Sequence, residues 1–446
     1  MNWNPAVKNV LVQATYMSGD RNGIASALRL DPTLGVVILT EPGALQSGDV
    51  LKNFYASVAG VDRVTSVAVP SVSGKDARGA LTEAYKASTK SPAWLQKVVG
   101  PRKVRALQSA TFGTKVIANA FGEAGPNRTI VPNSANALAA RAQLQNLWRL
   151  GSTSAALEAE VGTWLREKKR FNPNNRYVFL FAKQGDRSAE KAHHFTSILT
   201  WNLLKDRLDQ HYQDKSNNYR IIPVAAGDRI GLRTDPDLAE FWNDPEWKDM
   251  LNGIGIDARS AQLGLWCYFA MLYPNVSIIG MRSGMIEVPA LVGIRTLFLE
   301  EAFNAQAARM EKWLGGVVPG FDRNVVDVPP GIAQGLYWKQ RGARGPDSDP
   351  AQVRGQAVRT ALNGLQAGWT PSPVASNPQN KNWPTVQPET ARLNPPENSS
   401  PVDPGVKSAM APVLNQIPGK GIDNFMLQKE ALDQIMEWIC APTVSA

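Results

Sequence analysis

The sequence predicts an α/β protein built from two successive parallel-sheet domains, followed by a proline-rich extension and a terminal helix. Three observations predict it. Short apolar runs alternate with helical stretches over roughly the first 300 residues, most of these runs empty into polar loops that carry glycine, and beyond about residue 340 the composition turns to Pro, Asn, Gly, Ser and Gln. Four to six apolar residues bounded by turn residues suit a strand covered on both faces, and strands alternating with helices suit a parallel sheet.

The first domain is assigned to residues 1–168. Val7 to Ala14 is its first strand, followed by the loop TYMSGDRNG and a helix opening at IASALRL. Gly35 to Thr40 and Val64 to Val69 are the second and third strands, with a connection carrying Leu51, Phe54, Tyr55 and Val58 between them; Val116 to Phe121 is the fourth candidate. Apolar spacing from Ala137 to Lys169 predicts two amphipathic helices broken near Gly151, and the polar, basic stretch Lys168 to Arg176 reads as an interdomain linker.

The second domain takes residues 169–335. Tyr177 to Ala182 and Tyr219 to Ala225 are its first strands, and the acidic, aromatic segment Pro236 to Met250 reads as a surface helix or loop. Gly264 to Leu272 is a buried helix. It feeds a β-α-β unit in which Val276 to Ile279 is a strand, Met285 to Val292 a helix and Thr296 to Leu299 a second strand. Residues 336–446 form the extension, too poor in apolar side chains to offset ordering entropy over much of its length, and a final helix whose face carries Phe425, Met426, Leu432, Ile435, Met436 and Ile439.

The 446 residues include 48 Lys and Arg against 39 Asp and Glu, a net charge of +9 that favours anionic ligands. The charge is spread along the chain without a nucleic-acid-binding stripe or module. Two cysteines, Cys267 and Cys440, exclude a disulfide scaffold. With neither an export leader nor an apolar run of 18 residues, the expectation is a soluble, cytoplasmic protein without a membrane span. Sequence signatures of P-loop ATPases, dinucleotide dehydrogenases, zinc proteases and α/β-hydrolases do not occur.

Candidate site residues fall in loops after strands, the edge at which doubly wound sheets bind ligands. Ser283 and Gly284 open a helix whose N-terminus suits a phosphate or carboxylate, and Arg282 adds a forked cation there. The plainer alternative is a capping serine beside a solvated arginine. Asp20, in the first loop, reads either as a base able to take a proton from an attacking hydroxyl or as a turn aspartate. Lys183 and Arg187, after the first strand of the second domain, suit a diphosphate or a solvated helix start, and His193 and His194 have no partners at metal-ligand spacing.

With these loops in place, the chain resembles the GT-B glycosyltransferases, which pair two Rossmann-like domains. The stretch GMRSGMIEVPALVGIRTLFLEE is similar to their donor-binding region, and loosely to that of fucosyltransferases and heptosyltransferases. The resemblance implies a GT-B-like fold and an inverting, metal-independent transfer of sugar from a nucleotide-sugar donor, with no further cofactor, to an acceptor hydroxyl. Residue by residue, it implies Asp20 as base, Lys183, Arg187, Arg282, Ser283 and Gly284 on the diphosphate, and Glu287 and Glu300 on ribose or sugar hydroxyls. The sequence departs from the pattern in lacking a well-matched Glu-x(7)-Glu pair and in its long Pro-rich region. Two alternatives stand beside this reading: a non-catalytic interaction protein on the same fold, docking a partner through the Pro-rich region and tail helix, and a nucleotide-sugar hydrolase or epimerase.

Overall fold

The computed structural model describes residues 3–17, 21–105, 109–183, 201, 204–209, 211, 221–229, 231–252, 258–281, 283–301, 314–326 and 429–441. The first half carries strands β1 (Asn9–Ala14), β2 (Leu34–Thr40), β3 (Val64–Ala68) and β4 (Lys103–Val104), with helices α1 (Arg21–Leu30), α2 (Asp49–Ala59), α3 (Ala77–Ala87), α4 (Ala93–Val99) and α5 (Ser109–Phe121). A two-stranded antiparallel ribbon of β5 (Gly122–Ala124) and β6 (Ile130–Pro132) follows. Helices α6 (Ser134–Trp148), α7 (Leu150–Thr153) and α8 (Ala155–Thr163) then lead to the second sheet.

That sheet is made of β7 (Arg176–Ala182), β8 (Ile221–Gly227), β9 (Asp237–Ala239), β10 (Val276–Met281), β11 (Arg295–Glu301) and β12 (Phe321–Val326). Its described helices are α9 (Pro245–Leu251), α10 (Ala258–Leu272), α11 (Gly284–Val292) and the C-terminal α12 (Lys429–Cys440). The protein is thus α/β, with two parallel sheets ordered β3-β2-β1-β4 and β12-β11-β10-β7-β8-β9. Counting β7 as first, the larger sheet runs third, second, first, fourth, fifth, sixth, the doubly wound order whose switch point lies between β7 and β10. The smaller sheet repeats the first four places of that order around β1.

Strand alternation divides the apolar residues among three clusters. Val10, Val12, Val37 and Leu39 pack outward against Leu81 of α3 and Leu95 of α4. Leu11, Val36 and Ile38 face inward and share one continuous cluster with Tyr177, Phe179 and Ile278 of the second sheet, through α1, α5, α6, α10 and α11. Val178, Leu180, Ile279 and Leu297 form the other face of the second sheet, covered by Trp201, Leu204, Leu208 and α12.

Several expectations change. Val116 to Phe121 belongs to α5 and is not a strand: within it the exposed positions Lys115 and Asn119 are four apart while Val116, Ile117, Ala118 and Phe121 are buried, a helical period against α1. The fourth strand is the short β4. Pro236 to Met250 does include a surface helix, α9, exposed at Glu246, Lys248 and Asp249, but the segment is anchored, because Phe241 and Trp247 are fully buried and β9 pairs with β8.

The stretch from Lys168 to Arg176 is not a free linker either. Phe171 is buried among the rings of Tyr177, Phe269 and Tyr273, and Lys169 bonds Asp244 at 2.6 Å. Phe425 and Met426 of the expected final helix lie outside the described residues, as do residues 336–428 of the extension.

Leu432, Ile435 and Ile439 of α12 are buried on the second sheet. Arg176 donates to the carbonyls of Ile439 and Ala441, and Arg295 donates to Ala441 at 3.3 Å while lying 4.1 Å from the Trp438 ring centre. Cations at a helix C-terminus complement its dipole. Trp438 donates to Asp322, and Arg207 pairs with Asp433.

Ile435→Ala is therefore expected to cost about 2–5 kcal/mol, read as a lowered urea midpoint; an unchanged midpoint would mean that α12 lies outside the cooperative unit. Asp244 supplies a second test. Burial alone pushes its carboxyl pKa up, but the bond to Lys169 and the amides of Trp247 and Glu246 outweigh it, so the net shift is downward from 3.8. A depressed folded pKa gives stability above the unfolded value and loses it as pH falls through the folded one. Unfolding at stepped pH should show Asp244→Asn less stable than wild type at neutral pH, with the gap closing below about 3.8.

Candidate functional site

The switch point of the larger sheet sets the first part of the site. Phe181 and Gly280 are in register on β7 and β10, so the loops that follow these strands start side by side. Lys183, partly exposed, follows β7; Ser283 follows β10 and caps α11, its Oγ accepting from the Met285 amide at 3.4 Å. Gly280 lets α11 fold back over the strand end, since a Cβ there would meet Ile286 at 2.5 Å and Phe181 at 3.1 Å. Gly227 does similar work at the end of β8: its φ of 80° and its closeness to the Ala182 carbonyl leave no room for a side chain.

The first turn of α1, at the equivalent edge of the smaller sheet, meets the first turn of α11. Asn22 Nδ2 lies 3.0 Å from Met285 Sδ, and Glu287 Oε2 would stand 3.7 Å from a Cβ on Gly23. Both helices thus bring amide ends, with their partial positive charge, to one region. Arg21, buried at the start of α1, stacks its guanidinium 3.6 Å from the Phe54 ring centre.

Below this contact, two buried side chains hold the stems of the β1–α1 loop. Gln13 Nε2 donates to the Met17 carbonyl at 2.6 Å, its Oε1 accepts from the Tyr55 hydroxyl, and the same hydroxyl lies 3.4 Å from the Arg21 carbonyl. Residues on both sides of the loop are thereby fixed to one network. The sequence reading missed Gln13 and Tyr55 as site elements. A glutamine inside the strand NVLVQA is the signal that could have found the first, because a polar side chain in a strand buried on both faces needs a partner.

Of the expected site residues, the structure brings Lys183, Ser283 and Gly284 to the switch point, with Glu287 one turn into α11 against α1. Glu300 lies on β11 in register with Val325 of β12. Asp20, Arg187 and Arg282 lie outside the described residues. A separate open hollow of about 440 Å³ is lined by Arg149, Glu158, Tyr268 and Leu272 among others, and none of the expected residues that the structure describes lines it. Arg149 and Glu158 neutralise one another there at 2.9 Å.

These features define the class: a parallel, doubly wound α/β chain in which a helix from each half meets the other at its first turn. No protein-family model, curated protein or solved structure matches the chain. Among the described residues no helix is long and apolar enough to cross a membrane.

The Gln13–Tyr55 pair should be measurable. Tyr55→Phe leaves a buried amide oxygen without that donor and is expected to cost about 1–3 kcal/mol, with faster proteolysis between residues 15 and 20. Unchanged cleavage would show that the pair does not hold the loop.

Proposed function

We propose that the chain is a GT-B-like glycosyltransferase that moves a sugar from a nucleotide-sugar donor to an acceptor hydroxyl, with inversion and without a metal ion. The observation that carries this reading is the placement of Lys183 and the Ser283-capped start of α11 on either side of the switch point. That position suits a diphosphate, which takes hydrogen bonds from free helix amides and charge from a lysine. Lys183, Arg187, Arg282, Ser283 and Gly284 bind the leaving diphosphate, so fixed cations and amide dipoles stabilise the developing charge.

Asp20, from the loop held by Gln13 and Tyr55, takes the proton of the acceptor hydroxyl as its oxygen attacks the anomeric carbon. The bond to the diphosphate oxygen breaks on the opposite face. Glu287 and Glu300 meet ribose or sugar hydroxyls. The acceptor is bound mainly by residues 1–168, and a cytoplasmic location belongs to the same reading.

A second reading, a non-catalytic binding protein on the same fold, is favoured by the close packing of α1 on α11, which joins the two sheets through one apolar cluster. In that reading the Pro-rich region docks a protein partner, the apolar face of α12 being already covered by the second sheet.

A thermal-shift panel of UDP, GDP, ADP and their sugar conjugates tests the first reading. Stabilisation of about 2.7 kcal/mol is expected at a ligand concentration 100-fold above Kd, and Lys183→Ala or Arg282→Ala should abolish it. Asp20→Asn should retain binding and lose sugar transfer. Silence across the panel overturns the proposal in favour of the second reading, whereas binding with release of free sugar points to a hydrolase.

A further inference from the structure

The expectation of evenly spread charge fails in one place. Residues 84–122 carry seven Lys and Arg and no Asp or Glu, in a chain whose net charge over all 446 residues is +9. The fold gathers several of these cations at one rim. α4 and β4 both lie in this run, and β4 is an edge strand of the smaller sheet. Lys103 of β4 is in register with Asn9, the first residue of β1, and its amide donates to the Lys8 carbonyl at 3.0 Å, which brings Lys8 alongside. Trp3 ties the end of α4 to the same corner, its Nε1 donating to the Val98 carbonyl at 2.7 Å. The rim therefore lies at the starting ends of the strands, opposite the edge that carries the β1–α1 loop.

The charges on this rim are left to solvent. Lys8, Lys90, Lys97 and Lys103 are exposed, and none of them pairs with a carboxylate among the described residues. Leu95 and Val99 are buried under α4, which turns Lys97 outward. Val104 packs on the outer apolar cluster, so Lys103 beside it projects from the other face of the strand. Arg102 is held by a ring and a carbonyl: its guanidinium lies 5.5 Å from the Trp3 ring centre, and Nη1 donates to Val99 at 3.2 Å. Carboxylates on the adjoining elements are engaged elsewhere. Asp31 accepts from the Thr33 hydroxyl at 2.7 Å, Asp62 accepts from Asn4 at 2.7 Å, and Glu83 pairs with Lys86 at 3.5 Å. A surface of one sign concentrates ligands of the other.

We propose that this rim, built on Lys8, Lys97, Arg102 and Lys103, binds the phosphodiester backbone of single-stranded nucleic acid without regard to sequence. Evenly spaced phosphates match cations set along a strand edge and the helix beside it. A bilayer surface fits less well, because none of the exposed large apolar side chains lies on α4 or β4 to enter it. An acidic peptide engages the cations alone, whereas half-buried Trp94, one turn from Lys97 on α4, offers a ring on which a base stacks. The rim is remote from the switch point, so the inference stands independently of the sugar-transfer reading.

The test uses the full chain and fluorescence anisotropy with labelled single-stranded RNA and DNA of one sequence, about 20 nucleotides long, across a salt series. A Kd between about 1 and 100 μM near physiological salt is expected, with log K falling against log salt at a slope of about −3 for four phosphate contacts. Lys97→Glu combined with Lys103→Glu should weaken binding at least about tenfold and roughly halve that slope. Arg233→Glu with Lys248→Glu makes the same charge change at exposed positions of the other half and should alter affinity less than about twofold. Circular dichroism and the urea midpoint check that both variants fold. Binding of RNA and DNA alike supports the proposal, and a preference for one identifies the source of the backbone. No binding at low salt, a slope near zero, or equal losses in the two double variants overturns it. Tighter binding to phosphatidylserine vesicles, or equal competition by polyglutamate, overturns it in favour of a membrane surface or an acidic protein.

Discussion

Each of the two parallel sheets needs both faces covered, and on one side they share the cover. Helices α1 and α5 from the first half, α6 from the connection, and α10 and α11 from the second half fill one apolar cluster between Leu11, Val36 and Ile38 on one sheet and Tyr177, Phe179 and Ile278 on the other. Parallel sheets are found buried because their crossover helices lie on their faces. Here the same layer serves two sheets, so the halves have no apolar surface of their own to separate along. Gln145 on α6 donating to the Val292 carbonyl of α11 at 2.7 Å ties the same layer with a polar bond.

This shared layer fixes the geometry at the ligand-facing edge. α1 and α11 each begin where a strand of their own sheet ends, and because they pack on one another their first turns coincide in space. Two helix N-termini brought together repel unless negative charge lies between or beside them. Among the described residues Glu287, in the first turn of α11, is the carboxylate that the chain places there, with Gly23 of α1 beside it. Ser283 meets the complementary need by satisfying the Met285 amide.

The strands were legible because burial on both faces leaves an unbroken apolar run: NVLVQA, LGVVILT, RYVFLFA and VSIIGM all stand out from their polar neighbours. The run VIANAF in α5 is equally apolar over a few residues, and length alone does not separate a short strand from a buried helix turn. Its true period shows only when Lys115 and Asn119 are seen on the same exposed side. Phe171 was hidden for another reason. Its Pro/Asn-rich surroundings look like loop, while the pocket that receives it is built from Tyr177, Phe269 and Tyr273, far apart in sequence. In the site, the Ser-Gly helix start could be read from local capping chemistry, whereas the meeting of α1 with α11 depends on packing between elements some 260 residues apart.

The tail helix shows how much a remote segment can contribute to a sheet. α12 covers the outer face of the second sheet and bonds to β12 through Asn324 to Gln434 and Trp438 to Asp322, so two elements about a hundred residues apart in the chain meet on one sheet. Holding together the ends of a segment of about a hundred residues costs about 4 kcal/mol of loop-closure entropy, a cost that grows only slowly with length. Burial of Leu432, Ile435 and Ile439, at about 1.5–3 kcal/mol each, is enough to offset it before the bonds from Arg176 and Arg295 are counted. One lost anchor on α12 changes that balance by an amount comparable to the whole closure term.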